Sequence, residues 1–499
     1  MHQLLLLLFI VIFAIDSSAN ETSNIIQKES STIAISALWK NVPTRLANSL
    51  KWQKYGNNTI TDSGKFTKIT IKDNNKGAYL YLDKILSTFD GKDNKNYKIT
   101  FSAFVVDGNT KSQIVLMQAG VAGKNVFSLT NSEIKYTVRR TNGSSKRTHI
   151  AFQGLPIGSN IYIKQDIKVE KMSDRIYEHP FSEPFKGGTL NMDRQLETAN
   201  IQQWFFDLNE AGAKYVRIQT NPEKDMGSLS KSAYLIDVIN RFKRLYSPKI
   251  RQYNMKVLFA FESIPYDNLL LNNRKNIGFW ENPETIKNFM DTANYTAQAL
   301  KDIPEVFALQ FMSEPIDQDG KRPSVWDEIS LAVINTIRQH TNKFIAWSNG
   351  PLGASLYDAV VPFDDDRIIY NFHEFKPYKY THQGIHGNPL GVRYHASAEM
   401  TLDINRIIAF KNRNNNIPIM CGSFSLANWI PDGNLWLKDV TGQLQVNDIS
   451  SFQFVTGQFK AWDWRYRSVN NGKTVIYTYD ITSTNKLWTG LSKYWKQEY

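Results

Sequence analysis

The sequence contains only one cysteine, Cys421, in 499 residues. One cysteine cannot form an intramolecular disulfide, so we expect the fold to be stabilised by large hydrophobic cores. The eight histidines are scattered among unrelated segments, and none of them forms a cluster with metal-ligand spacing. We therefore expect no metal site and no cofactor. A Gly-rich phosphate loop after an early strand is also absent, which argues against a doubly wound nucleotide-binding sheet.

Long apolar runs are missing everywhere except at the N-terminus. Leu4–Ile15 is an unbroken apolar run, and the small residues 17–19 offer a cleavage site before Asn20. This pattern predicts a signal peptide over residues 1–19 and a secreted, extracellular or periplasmic protein. The run is short for a bilayer span, although a retained anchor is the alternative. We expect no membrane insertion beyond the signal peptide.

The charge is strongly one-sided, with 59 Lys and Arg against 47 Asp and Glu. A net charge of +12 favours anionic surfaces or polymers, and solubility explains it equally well. No basic helix or aromatic–basic cluster is present, so we expect no nucleic-acid partner. The 12 Trp and 23 Tyr exceed what packing requires. Flat aromatic faces suit stacking on sugar rings, but most tryptophans in globular proteins belong to the core.

The segment 36–172 alternates apolar and polar residues in short runs separated by Asn, Gly and Asp turns. Runs such as 65–71, 77–82, 97–104 and 161–167 are typical of half-buried antiparallel strands. So many strands predict an all-β sandwich or jelly roll. The central "YKITFSAFVV" and closing "NIYIKQDIKVEKM" resemble jelly-roll carbohydrate-binding modules appended to glycanases. The candidates for sugar stacking, which the sandwich core could equally use, are Trp39, Trp52, Tyr79 and Tyr81.

After a linker at 173–184 that contains two prolines, strands and helices alternate from 185 to 499. Amphipathic stretches such as Thr198–Gly212 and Pro283–Leu300 predict helices between the strands. This alternation predicts an α/β fold, a (β/α)8 TIM barrel of eight parallel strands. The strand candidates are Gly188–Asn191, Tyr215–Gln219, Lys256–Glu262, Phe307–Glu314, Phe344–Trp347, Ile368–Phe375, Ile417–Phe424 and Lys460–Tyr466.

Polar side chains gather where these strands end. Reactive groups of such barrels lie at the carboxyl ends of the strands, so these residues should share one cleft. Carboxylates, an imidazole and a tryptophan in one cleft suggest a sugar site. The residues are Asn191, Arg217, Glu262, Glu314, Asn349, His373, Ser423 and Trp462 or Trp464.

The order of these motifs resembles glycoside hydrolase family 5, the cellulase-like group, along the whole barrel. The resemblance assigns Arg217 to the active-site arginine, Glu314 to the general acid/base and His373 to the active-site histidine. It also implies that a tryptophan of the last motif floors the subsite beside the cleaved bond. The matching segments are "GAKYVRIQ", "NMKVLFAFESIP", "VFALQFMSEP", "IIYNFHEFKPYKYTHQG", "IPIMCGSFS" and "FKAWDWRYR".

The departures from the family pattern all fall in the same predicted cleft. The family's nucleophilic glutamate is replaced by Ser423, and the Asn before the acid/base is replaced by Ser313. Glu262 stands in place of a histidine, and Phe375 in place of a tyrosine. Retaining hydrolysis needs two carboxyl groups about 5–5.5 Å apart. A serine hydroxyl cannot replace the carboxylate unless a base activates it. We therefore expect impaired retaining hydrolysis.

A rearranged pair of carboxylates is conceivable, in which Glu262 activates water for an inverting reaction with Glu314. The alternative for Glu262 is a buried pairing with Arg217 on the adjacent strand. Strand alternation argues against Glu374 as the second carboxylate, because neighbouring residues of a strand point to opposite faces and His373 directly precedes it. Three hypotheses remain, and a monomer is expected in each. The barrel binds a polysaccharide or oligosaccharide without efficient cleavage, or hydrolyses it with rearranged carboxylates, or is a non-enzymatic envelope or scaffold protein.

Overall fold

The fold is described from a computed structural model, which covers parts of the segment 53–172 and most of 175–498. The gaps of the second part are 193–197, 267–278, 318–319, 351–353, 355–356, 358–359 and the single positions 281, 321, 324 and 458. The chain forms two compact units, and the second begins at Arg175. The predicted signal peptide lies outside the described residues. None of the helices in the described residues is both long and apolar enough to cross a membrane.

The first unit contains two antiparallel sheets. One has the strand order β1-β4-β9-β6-β7, and the other β11-β5-β10-β3-β2 with β8 also paired to β5. The strands are β1 (Gln53–Lys54), β2 (Thr59–Ser63), β3 (Phe66–Thr70), β4 (Ala78–Tyr81), β5 (Lys95–Val106), β6 (Gln113–Gln118), β7 (Lys124–Ser128), β8 (Ile134–Asn142), β9 (Thr148–Gln153), β10 (Asn160–Lys164) and β11 (Lys168–Lys171).

The six-stranded sheet has the two-residue periodicity that the sequence predicts. Ile99, Phe101, Ala103 and Val105 are buried, while the residues between them are more exposed from Ser102 onward. Strands are therefore present in the runs read from the sequence, whereas the jelly-roll arrangement stays a prediction. Of the stacking candidates, Trp39 and Trp52 lie outside the described residues, as do the side chains of Tyr79 and Tyr81 on β4.

The second unit is a closed barrel of eight parallel strands, as predicted. Seven strand predictions agree with the structure to within a few residues. The eighth was wrong, because the last barrel strand is 450–456 and the segment 460–465 forms turns beyond it. The strands are β12 (Lys186–Asn191), β13 (Tyr215–Thr220), β14 (Lys256–Phe261), β15 (Val306–Phe311), β16 (Phe344–Ser348), β17 (Ile368–Glu374), β18 (Ile419–Phe424) and β19 (Ser450–Thr456).

Helices connect the barrel strands, and the two helices read from the sequence are present. The longest, Pro283–Leu300, begins after Asn282, whose side chain accepts a hydrogen bond from the Glu284 amide at 2.9 Å. The helices are α1 (Thr198–Glu210), α2 (Pro222–Asp225), α3 (Lys231–Arg241), which continues as a π-helical turn (Phe242–Tyr246), α4 (Ser247–Gln252), α5 (Pro283–Leu300), α6 (Trp326–Arg338), α7 (Tyr378–Thr381), α8 (Ala398–Arg413), α9 (Gly433–Val446) and α10 (Lys486–Lys496).

The interior of the barrel changes from apolar to polar along its axis. At the amino-terminal end, Phe181 packs on Tyr215 with ring centroids 4.7 Å apart and on Phe307 at 5.0 Å. Part of the segment predicted as a linker therefore packs against the barrel. An apolar cluster follows, which includes Leu258 and Ala308. The carboxyl end of the barrel is polar, and there the strands present the residues of the predicted cleft.

A short hairpin follows the last barrel strand and was not anticipated from the sequence. Its strands are β20 (Tyr466–Asn470) and β21 (Val475–Tyr479). A buried ion cluster lies beneath it, in which Arg465 donates to Asp207 at 2.7 Å and to Asp463 at 2.7 Å. The Tyr479 hydroxyl donates to the same Asp207 carboxylate at 2.8 Å. Paired and hydrogen-bonded in this way, the three charges are tolerated in the interior.

Candidate active site

Arg217 is the centre of the polar end of the barrel and is fully buried. Its Nε donates to Gln310 at 3.0 Å, and its Nη2 donates to Ser313 at 2.5 Å. Its Nη1 donates to the Gly422 carbonyl at 3.4 Å and to the Ser423 hydroxyl at 3.3 Å. The guanidinium therefore ties the second barrel strand to the fourth and the seventh. Each of these four acceptors is a neutral oxygen atom.

Burial lowers the pKa of Arg217 to about 10, and the negative charges of Glu262 and Glu314 act in the opposite direction. The arginine consequently keeps its positive charge at neutral pH. The predicted neighbours Arg217, Glu314, Ser313 and Ser423 are thus brought together by the fold.

Hydrogen bonds continue from Arg217 around the barrel to His373. Gln310 Nε2 donates to Ser348 Oγ at 3.1 Å, and Asn371 Nδ2 donates to the same oxygen at 2.8 Å. Asn371 Nδ2 also lies 3.2 Å from His373 Nε2. Gln310, Ser348 and Asn371 were not identified from the sequence. Their signal was a polar residue near a strand end, one to three residues before a position that we did single out.

Glu314 follows His373 in this chain of hydrogen bonds. Its Oε1 lies 2.7 Å from His373 Nδ1, and its side chain is 26% exposed. Met312, two residues before it, has a left-handed φ of 70°, which interrupts the strand alternation. As a result, the consecutive residues Ser313 and Glu314 both reach the site, one at Arg217 and the other at His373. With Nε2 accepting from Asn371, the imidazole carries its hydrogen on Nδ1 and donates it to the carboxylate.

Ser423 follows an irregular step in the pairing of the sixth and seventh barrel strands. The preceding Gly422 allows close packing there, since a Cβ at this position would lie 2.1 Å from Asn371 Oδ1. Ser423 is buried, and its described contact is with the Arg217 cation. His373 contacts Asn371 and Glu314 instead. A cation cannot act as a base, so these contacts do not activate the hydroxyl as a nucleophile.

The other two carboxylates occupy different environments. Glu262 follows the third barrel strand and accepts a hydrogen bond from Gln219, while its charge still acts on Arg217. Glu374 is buried, and its Oε1 accepts from the Lys376 amide at 2.7 Å. Burial raises the pKa of Glu374 to about 8, with the charge of Asp403 on α8 as a further cause. Glu374 therefore faces the helix layer, as strand alternation predicts.

An aromatic wall lies beside Glu314. Trp462 contacts His382 with ring centroids 4.7 Å apart and Phe375 at 6.0 Å. Tyr378 stacks on His382 at 3.7 Å, and the pKa of Tyr378 is raised by burial and by the charge of Glu314. Burial and the charge of His386 lower the pKa of His382 to about 4, so this imidazole is neutral at neutral pH. Sequence reasoning missed Tyr378 and His382, although they lie in the quoted "HEFKPYKYTHQG" segment.

Two further predicted residues, Trp464 and Asn191, lie apart from these contacts, and Asn349, after the fifth barrel strand, is buried. Trp464 is 1% exposed, and its indole nitrogen donates to the Leu426 carbonyl at 3.0 Å. Its ring contacts Phe424 at 6.1 Å, which makes it a core residue of the wall behind the site. Asn191 ends the first barrel strand and is 7% exposed. Its Oδ1 atom has no hydrogen-bond partner within the described residues.

Comparison with known proteins gives a consistent relationship. Residues 180–446 match the family model described as Cellulase (glycosyl hydrolase family 5). Endoglucanase C of Acetivibrio thermocellus is 22% identical over 215 residues, which are 42% of this chain and 59% of that protein. Endoglucanase 3 of Fibrobacter succinogenes is 31% identical over 141 residues, which are 27% of this chain and 20% of that protein. The chain thus spans about three fifths or less of the length of these curated relatives.

A solved structure to which this chain is similar is Cel5A of Thermotoga maritima in complex with mannotriose. It has 16% sequence identity and a TM-score of 0.46, and the match covers 62% of this chain and 97% of that chain.

Proposed function

This chain belongs to the cellulase family, glycosyl hydrolase family 5, and from that premise we propose that it is an exported protein that binds a polysaccharide and hydrolyses it poorly. One observation carries the proposal. The residue at the end of the seventh barrel strand is Ser423, which is buried and hydrogen-bonded to Arg217. The oxocarbenium-like transition state of retaining hydrolysis requires a carboxylate there. Removal of a nucleophile from another class of hydrolase costs about 10⁶-fold in turnover.

The polar and aromatic side chains around the missing carboxylate support the binding of a sugar. Glu314 is 26% exposed, and the aromatic wall beside it offers Trp462 and Tyr378 to a sugar ring. Aromatic faces and a few placed polar groups are the usual composition of a ligand cleft.

In this proposal the first unit is a jelly-roll carbohydrate-binding module. Phe104 and Tyr162 of the six-stranded sheet are stacked with centroids 5.0 Å apart, and Phe66 meets Phe104 at 5.4 Å. These three rings are only partly buried, and Lys68 Nζ lies 5.7 Å from the Tyr162 ring. They are therefore our candidates for a surface that stacks on sugars.

A second candidate function is inverting hydrolysis with Glu262 and Glu314. Both carboxylates act on the same buried arginine, which supports their proximity. An inverting pair needs a separation of about 6.5–9.5 Å, so that water fits between the carboxylate and the sugar. In that reaction Glu262 would be the base. Its Oε2 atom already accepts a hydrogen bond from Gln219.

The test combines binding and cleavage on one panel of polymers. Purified protein is run through native gels containing β-glucans, mannans or xylans, and new reducing ends are measured in solution. We expect retarded migration in at least one polymer without new ends. The variant Ser423→Glu should then release reducing ends, and Ser423→Glu combined with Glu314→Gln should not. Thr401→Glu, which adds the same charge on the exposed face of α8, is the matched control.

Two results would contradict the proposal. Efficient cleavage by the natural chain that disappears in Glu262→Gln would establish the inverting alternative. Absence of both binding and cleavage over the whole panel would favour the scaffold hypothesis and a protein partner.

A further inference from the structure

The positive charge of the protein is unevenly divided between its two units. Residues 1–174 contain 23 Lys and Arg against 13 Asp and Glu, a net charge of +10. Residues 175–499 contain 36 against 34, a net charge of +2. A charge that served solubility alone would have no reason to be concentrated in about a third of the chain. The imbalance therefore favours an anionic polymer as the ligand of the first unit.

The partly buried rings of the six-stranded sheet lie among lysines. In the register of the strands, Tyr162 stands between Phe104 on β5 and Lys68 on β3. Lys164, two residues along β10 from Tyr162, stands opposite Phe66. Residues two apart in a strand share one face of the sheet, so these side chains lie on the same face, away from the buried isoleucines of β10.

Lys135 extends this face beyond β5. It stands opposite Ser102 on β5, which is two residues from Phe104 and therefore points the same way. The Lys135 side chain is exposed. Farther along β5 the charges are balanced, since Lys98 stands opposite Glu170 on β11. We call the surface around the rings the lysine face, and it consists of Phe66, Lys68, Phe104, Lys135, Tyr162 and Lys164.

Neighbouring carboxylates neutralise the lysine face in part. Lys164 Nζ donates to Glu133 at 3.3 Å. Lys68 Nζ lies 5.7 Å from the centroid of the Tyr162 ring, a cation–π contact that positions the ammonium group without neutralising it. Neither Lys68 nor Lys135 forms an ion pair in the described contacts. Two ammonium groups beside the rings are thus available to an anionic ligand.

We propose, building on the carbohydrate-binding module proposed above, that the lysine face binds an acidic polysaccharide whose sugars carry carboxylate groups, a polyuronate. The rings contact the apolar side of a pyranose. The ammonium groups of Lys68 and Lys135 bind the carboxylates, which a uronic acid carries on the sugar ring itself. A neutral glucan uses the rings but leaves the ammonium groups without a partner. This charge complementarity makes the acidic polymer the preferred ligand of the first unit.

The experiment measures binding of the full chain to polygalacturonate by isothermal titration calorimetry at physiological ionic strength. Lys68→Gln combined with Lys135→Gln should weaken the affinity by about tenfold, as for the loss of two exposed ion pairs. Lys243→Gln combined with Arg244→Gln removes the same charge from exposed positions of the second unit and should leave the affinity nearly unchanged. Added salt should weaken binding by the natural chain more steeply than binding by the Lys68 and Lys135 variant, because the variant has fewer charges to screen.

Two comparison ligands separate the contribution of the sugar from that of the charge. Methyl-esterified polygalacturonate keeps the sugar and loses the charge, whereas poly-L-glutamate keeps the carboxylates and contains no sugar. Each lacks one of the two kinds of contact, so each should bind more weakly than polygalacturonate by about tenfold or more.

An affinity for poly-L-glutamate or for double-stranded DNA equal to that for polygalacturonate would show that the first unit attracts any polyanion, and it would overturn the inference. An equal loss of affinity in the two double variants would do the same. The neutral polymers of the native gels are measured separately. A chain that is retarded by a neutral glucan but does not bind polygalacturonate would retain the proposed function and lose only the inference.

Discussion

His373 Nδ1 donates a hydrogen bond to Glu314 Oε1 across 2.7 Å, and Asn371 fixes this arrangement from the other side of the ring. The imidazole therefore links Glu314 to Asn371 through its two ring nitrogens. This relationship makes the state of Glu314 dependent on a residue that does not contact it.

Replacing Asn371 by aspartate tests that dependence. In Asn371→Asp a carboxylate takes the place of the amide donor, so His373 Nε2 should gain a hydrogen and the ring should become a cation. We expect ¹⁵N NMR of labelled imidazoles to show a neutral Nδ1–H tautomer in the natural chain at neutral pH and a doubly protonated ring in the variant. Asn349→Asp, at the end of the neighbouring strand, is a control of equal charge. An unchanged His373 spectrum would contradict the assignment of Asn371 as the controlling partner.

The two tryptophans of the last motif should have separable roles. Trp462 contacts His382 and Phe375, whereas Trp464 is enclosed by Phe424 and the Leu426 carbonyl. Trp462→Ala should weaken glycan binding by about 2 kcal/mol or more, as for a central aromatic anchor, with a small change in thermal midpoint. Trp464→Phe should lower the thermal midpoint and leave affinity as it was. Affinity electrophoresis and thermal unfolding of both variants check this; an affinity loss confined to Trp464→Phe would reverse the assignment.

Glu374 should make the barrel less stable as the pH rises. Its folded pKa of about 8 exceeds the ordinary value of 4.5, so between these two values the folded chain holds a proton that the unfolded chain has lost. The free energy of unfolding should fall by up to about 1.4 kcal/mol per pH unit in that window. Glu374→Gln keeps an acceptor for the Lys376 amide and should remove this dependence, making the protein more stable at pH 7.5.

Urea unfolding at several pH values between 5 and 8 gives the measurement, since those values lie within the window between 4.5 and the folded pKa of about 8. Glu284→Gln, an exposed glutamate at the start of α5, should keep the slope of the natural chain. Equal slopes for Glu374→Gln and the natural chain would show that this carboxyl is ionised in the folded protein.

The ion cluster under the hairpin should matter more to stability than exposed pairs do. Arg465 and Asp207 are 3% and 0% exposed, so Arg465→Met leaves two buried carboxylates without their cation. We expect a loss of about 3–5 kcal/mol in unfolding free energy by urea titration. Combining Arg465→Met with Asp207→Leu and Asp463→Leu should recover much of it. Arg467→Met, whose arginine is 60% exposed, should cost about 1 kcal/mol or less.

Much of the barrel could be predicted because its strands are continuous apolar runs that end in polar residues. Arg217, Glu314 and His373 were placed in one cleft for this reason, and the structure joins them. The eighth strand was missed because Ser450–Thr456 contains buried polar residues. Ser451 pairs with Tyr494, 43 residues later, and Gln453 donates to the Trp462 carbonyl, 9 residues later. The alternation of residues within the strand does not reveal these partners outside it.

The contacts of Glu262 show a second limit of local patterns. Adjacency of strands suggested pairing with Arg217, yet its hydrogen bond comes from Gln219, which lies two residues beyond the arginine on the same strand. In the register of these two strands Arg217 is paired with Leu258 and Gln219 with Ala260, so Gln219 lies nearer to Glu262.

The chain of hydrogen bonds through Gln310, Ser348 and Asn371 makes a single hydroxyl, that of Ser348, common to both halves of the site. Ser348 Oγ accepts two hydrogen bonds. One comes from Gln310, which is itself bonded to Arg217, and the other comes from Asn371, which also contacts His373. A mutation at this single hydroxyl would alter both chains at once. A substitution of Ser348 therefore reaches Arg217 through Gln310 and His373 through Asn371, although its hydroxyl is bonded to neither of them in the described contacts.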